Sequence, residues 1–169
     1  MNWFTADQHY NHFNIIEYCN RPFSSWQKMN EVLIERHNSR VSANDTVFVL
    51  GDFKFGARGP NTYELQKRLN GNLVFIRGNH DKNNGLNVCM ERAFVRSFGQ
   101  DFLLIHRPDD VLLVQDHFDF ALVGHVHEKW KFRENERGDK LINVGVDMWD
   151  FYPVHLKQIL KAYKMKSRS

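Results

Sequence analysis

The chain's short apolar runs break off at turn or polar residues. Residues 47–50, 73–76, 102–105, 111–114 and 120–123 are each continuously apolar and rich in branched or aromatic side chains. Trp3-Phe4 and residues 141–144 bring the candidate strands to about seven. Runs this short suit strands buried on both faces, and none approaches the ~18 apolar residues of a membrane span. Strands of that kind need cover on each side, so the chain must supply helices or a second sheet.

Helical patterns lie between the early strands. Ser24 with Gln27 predicts a capping box opening a helix to about Arg40, with Met29, Val32 and Leu33 turned inward. Asn61 with Glu64 predicts a shorter helix through Leu65 and Leu69, and Gly71 lies just past its end. Pro153 suits the first turn of a terminal helix on which Leu156, Ile159, Leu160 and Tyr163 form an apolar stripe. The charged residues 128–140 read as an exposed hairpin or loop. Strand and helix alternate in the front half while strands dominate the back, which predicts a layered α/β fold with at least one mixed sheet. No linker, repeat or low-complexity stretch divides the 169 residues, so one domain spanning 1–169 is expected.

Composition narrows the class. Two cysteines, Cys19 and Cys89, are too few for a disulfide framework and fit a reducing, cytoplasmic setting without membrane attachment. A thiol mechanism is not expected, since Cys89 has no base beside it in sequence. The net charge of +3 and the lysine-rich segment 157–168 are compatible with an anionic partner, nucleic acid included. A solvated helix face explains that segment more simply. Oligomeric state leaves no mark in the sequence.

The polar residues at the strand ends carry the chemistry. Asp7 and His9 follow the first run, Gly51-Asp52 the second, and Gly78-Asn79-His80-Asp81 comes one residue after the third. His106 follows 102–105 directly, and Gly124-His125-Val126-His127 follows 120–123. Open α/β sheets bind ligands beyond the carboxyl ends of their strands, so these blocks can converge. An Asp-x-His pair is common by chance, but Gly-Asn-His-Asp is expected in roughly one chain of this length in a thousand. Imidazole, carboxylate and amide oxygen suit first-row divalent ions. Asp7, His9, Asp52, Asn79, His106, His125 and His127 are too many ligands for one tetrahedral zinc, but suit two ions sharing a carboxylate.

This ordered set resembles the calcineurin-like metallophosphoesterases, and most of all their small bacterial and phage members. The similarity extends toward Asn143-Val144-Gly145-Val146-Asp147. The resemblance implies two mixed β-sheets packed face to face as a sandwich flanked by helices, with a dinuclear metal centre. Asp7, His9, Asp52 and His127 would hold one ion, and Asp52, Asn79, His106 and His125 the other. His80 would sit outside the coordination shell, beside the phosphate or the leaving oxygen, with Asp81 orienting its ring, and Asn79 and His80 would both contact substrate. Manganese is the favoured cofactor, with Ni, Fe, Co, Zn or Mg as alternatives.

The implied activity is hydrolysis of a small phosphodiester, such as a nucleotide or cyclic phosphate, by metal-bound hydroxide. A phosphomonoesterase using the same site is the alternative. A third reading is a non-catalytic scaffold on this fold, as in the retromer subunit that resembles the family. A nucleic-acid-binding module using the basic tail would leave the ligand set unexplained. His12, Arg77 and Arg107 are further candidates for substrate contact, as is stacking of a base on Trp149, Phe151 or Tyr152. His37, His117 and His155 read as structural.

Overall fold

The computed structural model describes residues 1–166 except 83, 87 and 89, so Cys89 and Arg168 lie outside the described residues. The first half runs β1 (Asn2–Thr5), α1 (Asn14–Tyr18), α2 (Trp26–Arg40), β2 (Thr46–Leu50), α3 (Thr62–Lys67) and β3 (Asn72–Ile76). The second half adds β4 (Arg92–Ser97), β5 (Gln100–Ile105), β6 (Phe120–Val123), β7 (Phe132–Glu134), β8 (Lys140–Asn143), β9 (Val154–His155) and α4 (Leu156–Lys166). Two mixed sheets result, in the orders β3-β2-β1-β9 and β4-β5-β6-β8-β7. In the first, β1, β2 and β3 are parallel and β9 is antiparallel to β1; in the second, β5, β6 and β8 are parallel between antiparallel edges.

Alternation along the strands builds three apolar layers. Phe4, Leu50 and Ile76 from the first sheet meet Phe102, Leu104, Leu122 and Ile142 from the second, which makes the sandwich interior. Trp3, Val47 and Val49 point the other way, onto Met29 and Leu33 of α2 and Leu65 of α3. Leu103, Ile105, Ala121, Val123 and Leu141 face outward from the second sheet and are covered by Val111 and Val114. The continuous apolar runs therefore reflect strands with a core on each side.

Several expectations need correction. Residues 111–114 are not a strand: Pro108–Leu113 is a 3-10 turn that lids the second sheet. Short apolar runs do not distinguish these outcomes, but Pro108 in the first turn is the signal for a helical start. The cap of α2 is Ser25, whose hydroxyl accepts from the Lys28 amide, rather than Ser24. Val32 is only half-buried, and Asn30, Ile34 and His37 complete the buried face. The capping box of Asn61 and Glu64 is present. Pro153 precedes β9, not a helical turn, and α4 begins at Leu156 with Ile159 buried. Charged residues 128–140 contain β7 and lead into β8. The alternating burial of β4 along RAFVRS went unread because only Phe94 and the small neighbours Ala93 and Val95 carry its apolar signal. Among the described residues no helix is long and apolar enough to cross a membrane.

Candidate metal centre

All five polar blocks reach one edge of the sandwich, beyond the ends of β1, β2, β3, β5 and β6. Backbone geometry turns them inward. Asp7, His9, Asp52, His125 and His127 have φ of 59, 50, 53, 72 and 49°, the left-handed region that β-carbon sterics disfavour. Such conformations cost about 1–3 kcal/mol each and cluster at functional sites. The chain is pinned there by bonds that extend the β1–β2 pairing: the Asp7 amide donates to the Gly51 carbonyl and the His9 amide to that of Asp52, both at 3.0 Å. Gly51 has φ +88°, and a β-carbon on it would lie 2.4 Å from His106 Nδ1, so the turn admits no side chain.

Two ligand groups result. Asp7, His9 and His127 offer atoms all within 4.8 Å of one another, and so do Asp52, His106 and His125. Asp52 joins them, since its Oδ2 lies 3.5 Å from His9 Nε2 and 3.4 Å from His106 Nε2. Asn79 Oδ1 is 3.0 Å from His106 Nε2, which brings it to the second group. All seven strand-end residues are thus gathered, Asp7, His9, Asp52 and His106 being buried.

Their surroundings test whether ions fit. Among the described residues neither buried ring nitrogen of His9 has a hydrogen-bond partner, an expensive state that a coordinated cation relieves. Burial drives His9 toward its neutral, ligating form and lifts the Asp7 carboxyl to about 6. His106 goes the opposite way: burial opposes its charge, but the hydrogen bond to Asp52 and the nearby carboxylates raise it to about 9. Asp52 is correspondingly held low against its burial, chiefly by His106 and His9. A proton on His106 supplies the positive charge this carboxylate cluster requires, and a metal ion would displace it. The donor set fits a pair of divalent ions.

Outer partners fix the ligands. His106 Nδ1 donates to the Leu50 carbonyl at 2.7 Å, leaving Nε2 toward Asp52. The His125 amide donates to both Asp7 oxygens, at 3.0 and 2.9 Å. His127 Nδ1 is 3.2 Å from Asp147 Oδ2, and Asp147 is gripped by Arg21 through Nε at 2.8 Å and Nη2 at 2.9 Å. Arg21 also donates to the carbonyls of Gln8 and Asp7, tying the β1 turn to the stretch after β8. Arg21 carried no sequence signal, because its partner lies 126 positions away. Asp147 stands in the stretch 143–147, where nothing in the neighbouring sequence gives it a ligand or positioning role.

The Asp81 carboxylate is engaged by its own loop and makes no hydrogen bond to the His80 ring. Its oxygens accept from the amides of Asp52 and Gly78, the amide of Phe53 and the side chain of Asn84, so it braces the loop that presents Asp52. His80 is exposed, and its amide donates to Asp52 Oδ1 at 2.9 Å. Its ring stands 5.6 Å from His9 and 5.3 Å from Phe55. His12 is stacked on Phe55 at 4.0 Å and faces the same side, where burial holds it down to about 4.

Arg107 is exposed at the opposite rim, and its charge adds to the burial and the neighbouring His106 that chiefly depress His125. Arg77 lines that rim too, but its guanidinium is engaged by Glu91 and the Val88 carbonyl. Trp149, Phe151 and Tyr152 do not present a stacking platform: Trp149 donates to the Asn143 carbonyl, Phe151 packs on Phe23, and Arg36 and Arg40 lie against Tyr152. His37 is buried against the Asn70 carbonyl, His155 packs beside Trp3, and His117 is exposed near Asp119.

Comparison with known proteins agrees with this geometry. The calcineurin-like phosphoesterase superfamily domain matches residues 6–151, and the chain belongs to that family. It is 39% identical over 162 residues to the uncharacterized protein MJ1445 of Methanocaldococcus jannaschii, covering 92% of this chain and 87% of that protein. A protein of unknown function from Aquifex aeolicus, AQ665, has the same fold, with TM-score 0.76, 24% identity and coverage of 96% and 98%. An archaeal phosphodiesterase aligns at TM-score 0.47 and 21% identity over 85% of this chain and 82% of its own. The family is one of metal-dependent phosphoesterases, and the His/Asp groups here are consistent with its metal site.

Proposed function

We propose that this protein is a phosphodiesterase working with two divalent ions, manganese favoured, held by Asp7, His9, Asp52 and His127 and by Asp52, Asn79, His106 and His125. The observation that carries the reading is the placing of Asp52 Oδ2 between His9 and His106, at 3.5 and 3.4 Å, where one carboxylate can serve both ligand groups. When bound, such a pair of ions supplies Lewis acidity toward the phosphoryl oxygens and a nucleophilic oxygen from water at neutral pH. The substrate is a phosphate ester, and open cavities on both sides of the centre favour a diester, which has two arms to place.

The protein's own residues do the rest. Arg21 and Asp147 fix the His127 ring, the Leu50 carbonyl fixes that of His106, and Asp81 fixes the turn carrying Asp52. His80, exposed beside this set, delivers a proton to the departing oxygen from its ring. General acid catalysis of this kind is worth roughly 10²–10⁴-fold. His80→Ala is therefore expected to keep both ions while losing at least roughly a hundredfold in turnover. Full activity with unchanged metal content would contradict the role given to His80.

A further inference from the structure

The candidate centre sits between two cavities of contrasting chemistry. On the His9 and His80 side is a cavity of about 480 Å³, walled by Phe55, His12, Tyr18 and Ile15. Phe55 lies stacked on His12 with ring centres 4.0 Å apart, and 36% of its surface stays exposed. Its backbone is pinned, since the Phe55 amide donates to the Tyr10 carbonyl at 3.0 Å. A rigid aromatic ring held open beside the reacting centre is a platform for a second planar ring.

On the Asn79 and His106 side is a cavity of about 410 Å³, lined by Arg77, Lys82 and Arg107. Of the two acidic residues there, Glu91 is already paired with Arg77, and Asp110 is outnumbered by Arg77, Lys82, Arg92 and Arg107. Among the described residues the side chains of Lys82 and Arg107 make no hydrogen bond or ion pair, the Arg107 carbonyl alone accepting from the Asp110 amide. Unpaired cations at the rim of a pocket suit an anionic group on the substrate.

His80 sets the direction between the cavities. Its ring lies 5.3 Å from that of Phe55, so the oxygen it protonates belongs to the arm in the aromatic cavity. Resting on the phosphodiesterase reading above, we infer that the substrate is a nucleotide diester whose departing nucleoside stacks on Phe55 while the retained nucleotide extends a further phosphate toward Lys82 and Arg107. The oxygen of water bonds to phosphorus, and the bond from phosphorus to the nucleoside oxygen breaks. A proton passes from the His80 ring to that oxygen, and the proton lost by the attacking water goes to solvent, from which the exposed His80 ring is reprotonated. The products are a free nucleoside and a nucleotide bearing two phosphate groups.

The test uses the manganese-loaded full chain with the dinucleotides pApA and ApA, and with bis-p-nitrophenyl phosphate as the reference diester. Cleavage of pApA to pAp and adenosine, faster than cleavage of ApA, is expected. Phe55→Ala should lower kcat/KM for pApA by roughly tenfold or more and Phe55→Trp should restore it, as base stacking predicts. Lys82→Gln with Arg107→Gln should abolish the preference for pApA over ApA. An independent readout uses metal-free protein: saturation-transfer NMR should mark the adenine protons of adenosine in the wild type and not in Phe55→Ala. Two molecules of AMP as products, or indifference to Phe55→Ala, would overturn the inference while turnover of bis-p-nitrophenyl phosphate left the phosphodiesterase reading standing. Failure to cleave that reference diester with any divalent ion would overturn both.

Discussion

Truncating Asp147 separates what holds the fold from what holds a metal. The Arg21 side chain is 0% exposed and that of Asp147 3%, and they meet through two bonds of 2.8 and 2.9 Å. Asp147→Ala leaves the guanidinium buried with the Gln8 and Asp7 carbonyls, at 3.0 and 2.7 Å, and the Met29 sulfur at 3.4 Å. Breaking a buried pair from one side costs about 3–5 kcal/mol of stability. The same change frees His127 Nδ1, so the ring loses the acceptor that would hold Nε2 toward the proposed ion. Loss of such an outer partner typically weakens metal binding 10–100-fold, or about 1.4–2.8 kcal/mol. The Asp52, His106 and His125 group makes no bond to Arg21 or Asp147 and should keep its affinity. A second variant, Arg21→Met with Asp147→Leu, replaces the pair by apolar volume, which is often neutral or stabilising. It is expected to regain stability in urea unfolding yet stay weak for one of two Mn²⁺ ions in calorimetric titration. Recovery of full affinity by that double variant would refute the reasoning, because Asp147 would then act only on the fold.

Three further outcomes are expected. Asp52→Asn should reduce bound Mn²⁺ from two ions to at most one, measured by elemental analysis after gel filtration, since a bridging carboxylate serves both. A β-carbon on Gly124 would lie 2.7 Å from both Ala6 Cβ and Asp7 Oδ2, so Gly124→Ala must shift the turn after β1 and should bind the ion proposed at Asp7 at least roughly tenfold more weakly by calorimetry. Burial lowers the pKa of His37 below 6.5, so the unfolded chain takes up a proton first as pH falls. Its contribution is intact above pH 6.5 and declines below it, and wild-type protein should lose more stability between pH 7.5 and 5.5 than His37→Gln does in urea titrations.

Much of the site was legible because its chemistry sits at strand ends. Asp7, Asp52, Asn79, His106 and His125 follow apolar runs closely, and a parallel sheet brings such positions to one edge. Long-range partners were not legible. Nothing in the neighbourhood of Arg21 announces that it spans to Asp147, and nothing in Gly-Asn-His-Asp says that the final carboxylate serves the amides of Asp52 and Phe53. Phe55 reads as one more apolar residue until the turn after β2 sets it against His12. The 3-10 turn at Pro108–Leu113 shows the same limit in the fold, since an apolar run fixes burial but not conformation.

The central claim is that the Asp/His edge is a working two-ion phosphodiesterase centre. Metal-stripped protein supplied singly with Mn²⁺, Ni²⁺, Co²⁺, Zn²⁺ or Mg²⁺, and assayed on bis-p-nitrophenyl phosphate and p-nitrophenyl phosphate, tests it most directly. Metal-dependent turnover with the diester faster is the expected result. Absence of turnover on either ester with every ion, in protein binding two ions per chain, would contradict it.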